Sequence, residues 1–102
     1  MVRHEPNMRF HLVAAVGVLI GAAAFRLPLT EWAALIFAIV LVLLGEILNT
    51  AIEAVLDIVQ PDWHQRVEVV KDLAAGAVLV AAVGAAVIAA IVFVPRFWDL
   101  LS

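Results

Sequence analysis

Residues 45–59, GEILNTAIEAVLDIV, set Glu46, Glu53 and Asp57 into a run that otherwise reads as hydrocarbon. At about 100° per residue, a helix brings Glu46, Asn49, Glu53, Asp57 and Gln60 within roughly 80° of one another, on a single stripe. An ionisable side chain at membrane depth costs from about 2.5 to more than 10 kcal/mol, so such groups face a bundle interior or a wet cavity. A row of them implies a polar cleft open to one membrane surface. Three kinds of chemistry compete for it. The groups could be polar glue between helices, with Asp57 and Gln60 reaching interfacial water. They could couple ions or protons in a small membrane transporter, which needs one carboxylate rather than a graded row. Or they could form a metal-phosphate site at the membrane surface.

Spacing narrows the roles. Glu46 and Glu53 stand seven residues apart, about 10.5 Å along a helix axis, whereas the ligands of one magnesium ion lie about 2.0–2.1 Å from it. They cannot share a metal. Glu53 therefore needs a partner carboxylate from another segment, and Glu5, at the entrance to the first helix, is the candidate. Glu46 lies two turns deeper, beside Leu43, Leu44 and Ile47, and a desolvated carboxylate suits a general base. Lys71 and Asp72 open the third apolar segment on the same side, where a lysine can clamp phosphate. Carboxylates for magnesium, a lysine for phosphate and a base for a hydroxyl are the parts of phosphoryl transfer. No glycine loop of the P-loop or protein-kinase type accompanies them.

The elements that must position these residues follow from composition. Of 102 residues, 67% are hydrophobic and 15% charged, with a mean hydropathy of +1.15; soluble domains are roughly half apolar and a quarter charged. The pattern is that of an all-α integral membrane protein, one domain over 1–102 with three transmembrane helices. Having no cysteine, the chain offers neither a disulfide nor a thiolate metal site. A net charge of −3 gives no reason to expect a nucleic-acid partner. The N-terminus shows no cleavage pattern of a removable signal peptide.

The first span is expected over 7–25; Gly17 and Gly21 are spaced for close approach of a neighbouring helix, or reflect only how common glycine is in membrane helices. Thr30 and Glu31 read as the cap and acidic first turn of a second helix over 31–59, stopped by Gln60, Pro61 and Asp62. The stretch PDWHQRVEVVKD reads as a polar connection. The third span is expected over 73–94, closed by Pro95, with Trp98 as an interfacial anchor. Arg3, Arg9, Arg66 and Lys71 are four of the six basic residues and share one side of a three-span protein, which predicts that the N-terminus and loop 60–72 are cytoplasmic.

At these residues the sequence closely resembles the prokaryotic diacylglycerol kinase and undecaprenol kinase family, small trimeric lipid kinases of the bacterial plasma membrane. The resemblance rests on EILNTAIEAVLD (46–57), WH (63–64), KDLAAGAVL (71–79) and EPNMRFHL (5–12). It implies a homotrimer with active sites shared between subunits, and Mg2+ and ATP acting on a lipid alcohol. It makes Glu46 the base that takes the lipid hydroxyl proton, with Asn49 beside it. Glu5 and Glu53 become ligands of magnesium and the ATP phosphates, and Lys71 and Asp72 nucleotide contacts. Asp62, Trp63 and His64 border the adenine and ribose; on the residues alone, Trp63 is also a plausible interfacial anchor and His64 a solvated loop residue. Ala74, Ala75 and Gly76 resemble the undecaprenol kinase branch, where Ala75 meets the lipid; diacylglycerol kinase is the alternative. Family members usually carry an amphipathic surface helix before the position of Glu5, where only Met1 to His4 stand here, and a truncated front would weaken ATP binding.

Overall fold

A computed structural model describes residues 5–102, and the side chains from residue 8 onward. Three α-helices follow one another: α1 (Glu5–Ala24), α2 (Leu29–Val59) and α3 (Gln65–Leu101). They lie along a body of 57 × 22 × 20 Å. At about 1.5 Å per residue α2 and α3 are roughly 46 and 55 Å long, against a hydrocarbon core of about 30 Å, so each must project beyond it or tilt. Both are apolar enough to cross a membrane, while the described apolar part of α1, Met8–Ala24, is shorter. Large apolar side chains such as Val13, Phe37, Val80 and Ile91 are exposed along all three helices, a surface suited to lipid rather than water.

The turn between α1 and α2 explains how the first two helices are folded back on each other. Arg26 takes a left-handed φ of 54°. The Leu27 amide donates to the Ala22 carbonyl and the Arg26 amide to Ala23, each at 3.2 Å. This is the paired closure that ends many helices, completed by an apolar contact between the residues it joins. Leu27 and Ala22 make that contact, in a buried cluster with Leu35 and Val92. Arginine occupies a position where glycine is usual, at a steric cost of about 1–2 kcal/mol.

Above this cluster Phe25 meets the Phe93 and Phe97 rings at centroid distances of 6.1 and 5.1 Å. A Cβ on Gly21 would stand 3.2 Å from the Phe93 ring, whereas one on Gly17 would meet nothing within 4 Å. Of the two glycines expected to admit a neighbour, only Gly21 does so within this chain. Gly21→Val is expected to overpack the ring cluster and cost about 1–3 kcal/mol, read as a lower midpoint of thermal unfolding in detergent, while Gly17→Val leaves the midpoint near that of the wild type.

Three boundaries differ from expectation. Thr30 does not cap α2: the cap is Pro28, with no side-chain hydrogen bond. Thr30 lies inside the first turn because Pro28 already holds the extended conformation that precedes a helix. Pro95 does not close α3 but sits within it. It removes one backbone hydrogen bond, yet the helix continues because Arg96 pairs with Glu31 and Phe97 packs on Phe25. The polar stretch before residue 73 is not a long loop either. Helix α3 begins at Gln65, capped by His64, whose Nδ1 accepts from the Arg66 amide at 3.1 Å.

Candidate active site

The carboxylates share one face of α2 as helical spacing requires, and their burial falls from Glu46 to Asp57. Glu46 is 4% exposed and Asn49 8%; Glu53 is half-buried and Asp57 exposed. The cause of Glu46's burial differs from the one expected. Leu44 and Ile47 are about half exposed and point away, so the neighbouring helices cover Glu46, not its apolar sequence neighbours.

From α1 comes His11, whose Nε2 lies 3.0 Å from Glu46 Oε2. The two groups are close enough to pair, and an ionised carboxylate can only accept from an imidazole N–H. The contact also fixes register. Ala22 clusters with Leu35 at one end of the pair and His11 meets Glu46 at the other, so α1 and α2 run antiparallel. Stepping six residues back along α1 and seven forward along α2 covers about 9 and 10.5 Å. The α1 backbone therefore begins at about the level of Glu53. The side chain of Glu5 lies outside the described residues. Reading the sequence missed His11. The available signal was a lone titratable residue heading the apolar run from Leu12 to Phe25, and such residues in membrane segments are functional suspects by default.

Asn49 Oδ1 is buried and accepts no hydrogen bond among the described residues. A buried acceptor left unpaired costs about 1–3 kcal/mol, which a ligand's hydroxyl or amine would offset. One turn beyond Glu53, Asp57 Oδ1 accepts from Lys71 Nζ at 3.1 Å. Both side chains are well solvated, at 48% and 29% exposure, so the pair is weak and Lys71 can exchange Asp57 for a phosphate at little cost. Asp72 and Ala75 are exposed on the same helix, as are Asp62, Trp63 and His64 in the short connection before it. His64 also has a structural role as the α3 cap.

On its apolar side, His11 lines a groove of about 240 Å³ between the helices, walled by Ala14 and Val18 of α1, Ala38 and Val42 of α2 and Ala85 and Ala89 of α3. Alanines from all three helices facing one another leave space that larger side chains would fill. Among the described residues no three His, Asp or Glu side chains gather as a metal cage. Magnesium does not require one, since it is commonly held by one or two carboxylates together with substrate phosphates. The hard oxygen donor of Glu53, near the open end of the stripe, suits that ion.

The prokaryotic diacylglycerol kinase family model matches residues 1–93. The undecaprenol kinase of Bacillus subtilis (strain 168) is 38% identical over 99 residues, covering 92% of this chain and 76% of that protein. The diacylglycerol kinase of Synechocystis sp. (strain ATCC 27184 / PCC 6803 / Kazusa) is 35% identical over 98 residues, covering 95% of this chain and 56% of its own length. No solved structure matches the chain significantly. With the stripe intact and the match running through α1 and α2 and most of α3, the chain belongs to the prokaryotic diacylglycerol kinase family.

Proposed function

We propose that this protein transfers the γ-phosphate of ATP to the hydroxyl of undecaprenol, with diacylglycerol as the alternative acceptor. As a member of its family the chain is a membrane-bound lipid kinase. The observation that carries the finer reading is the graded stripe: a buried carboxylate at Glu46 and an accessible one at Glu53 on one helix face. These two environments suit the two halves of the reaction.

At the buried end, Glu46 takes the proton from the lipid hydroxyl as its oxygen bonds to the γ-phosphorus. The bond from that phosphorus to the β,γ-bridging oxygen breaks, and ADP leaves with the electron pair. Asn49, its acceptor buried beside Glu46, orients the hydroxyl. At the open end Glu53, with Glu5, holds Mg2+, which when bound screens the phosphate charge. Lys71 releases Asp57 to bind phosphate, and Asp72, Asp62, Trp63 and His64 contact the nucleotide. The alanine-walled groove that reaches His11 suits the first part of an isoprenoid chain, whose regular methyl branches need width without polar partners. Ala75 adds a small contact with the lipid. The reading includes three membrane crossings, a homotrimer with sites shared between subunits, and a bacterial inner-membrane location with the N-terminus and loop 60–72 cytoplasmic. In a trimer, other copies would cover part of the exposed apolar surface.

Purified protein assayed with labelled ATP against a panel of lipid alcohols tests the substrate. Undecaprenol is expected to be phosphorylated faster than diacylglycerol at equal surface concentration. Equal rates would remove the preference, and faster turnover of diacylglycerol would reverse it.

A further inference from the structure

We infer that His11 is a positioning residue for the general base, donating its Nε2 proton to Glu46 Oε2 so that Oε1 is left to receive the hydroxyl proton. The inference rests on the lipid kinase reading and adds to it a residue on a different helix from the stripe.

The geometry is specific. The 3.0 Å contact joins a carboxylate side chain 5% exposed to an imidazole 17% exposed, so water competes little for either group. A hydrogen bond to a charged acceptor in such a place is stronger than one between neutral groups. Phe10 lies edge-on to the imidazole, with centroids 5.6 Å apart. Around the pair, α3 offers no competing charge at this level. It turns Ala82, Ala85, Ala86 and Ala89 to the groove that His11 lines, and its charged residues lie at its two ends, Arg66, Glu68, Lys71 and Asp72 at one and Arg96 and Asp99 at the other. On α2 the next carboxylates, Glu53 and Glu31, are about 10.5 and 22 Å from Glu46 along the axis. On α1 the nearest described cation, Arg9, is exposed.

A lone carboxylate can rotate about its last bond and present either oxygen. Tying Oε2 to a second helix removes that freedom, so the base meets the hydroxyl in one orientation. The same hydrogen bond couples the approach of α1 to α2 with the chemistry. Substrates that bind elsewhere on the stripe do not depend on it, so the effect should fall on kcat and spare KM for MgATP.

The test compares His11→Ala and His11→Gln in the full-length protein, with kcat and both KM values measured. His11→Ala is expected to lower kcat by about ten- to a hundredfold, the scale of a misplaced reacting group, with KM for MgATP within about twofold. The Gln amide nitrogen can occupy nearly the place of Nε2 and donate, so His11→Gln should recover most of the loss. Unchanged kcat in His11→Ala, or equal impairment of both variants, would overturn the inference. Imidazole 15N spectra of His11 give a readout independent of catalysis. The protonated Nε2 resonance should shift on Glu46→Ala, which removes the acceptor, and an unmoved resonance would mean the pair does not form. Wild-type protein inactive on every lipid alcohol would instead sink the kinase reading and leave the pairing result standing.

Discussion

Replacing Glu46 with glutamine is expected to lower kcat by about 10²–10⁴-fold, the contribution typical of a positioned general base. Glutamine keeps the size and the polar end of the side chain but cannot accept the proton. The loss should therefore appear in kcat and hardly in the affinity for MgATP, because Glu46 is buried two turns from the accessible end of the stripe. Folding should survive the change. A neutral amide removes a buried charge, and its carbonyl oxygen can still accept from His11 Nε2. Steady-state kinetics in mixed micelles, with nucleotide affinity measured by titration, separate the two quantities. A large loss of nucleotide binding would show that Glu46 contacts the phosphates.

Glu53→Gln should do the reverse. An amide oxygen is a much poorer magnesium donor than a carboxylate, so KM for MgATP is expected to rise by about ten- to a hundredfold, within the range seen when groups supporting a metal are lost. The magnesium concentration for half-maximal activity should rise with it, and kcat at saturation should fall less. Unchanged metal dependence would remove Glu53 from the ligand set. The contrast between these variants follows from their 10.5 Å axial separation, about two turns of helix. One carboxylate cannot substitute for the other.

Much of this site was legible in the residue pattern, because the costs that shape it are local. A carboxylate in an apolar helix must find cover, and five polar positions at helical spacing fall on one face whatever the tertiary structure. The shared face from Glu46 to Asp57 accordingly appears in the fold, while the fall in burial along it is set by the helices that cover Glu46. Boundaries were less legible where tertiary contacts outweighed local signals. Pro95 reads as a stop, but the Arg96 pair with Glu31 and the Phe97 contact with Phe25 carry α3 past it. Residues 65–72 read as a loop because they are polar, yet a helix projecting beyond the hydrocarbon can be polar all round. His11 went unassigned because its significance depends on which residue of α2 it meets. That is set by the turn at Arg26 and not by any spacing within α1. Lys71 reads as a candidate phosphate clamp from its type and position, but its partner Asp57 lies across a helix-helix contact that no local pattern encodes.

The most direct test of the division of labour along the stripe is single-turnover transfer of labelled γ-phosphate to lipid as MgATP is raised to saturation. The wild type, Glu46→Gln and Glu53→Gln would be compared in the same detergent. Glu53→Gln is expected to climb toward the wild-type rate as nucleotide saturates, and Glu46→Gln to stay slow at every concentration. If saturating MgATP restored Glu46→Gln, or if both variants stayed equally slow, the assignment of proton transfer to the buried end and metal binding to the open end would be contradicted.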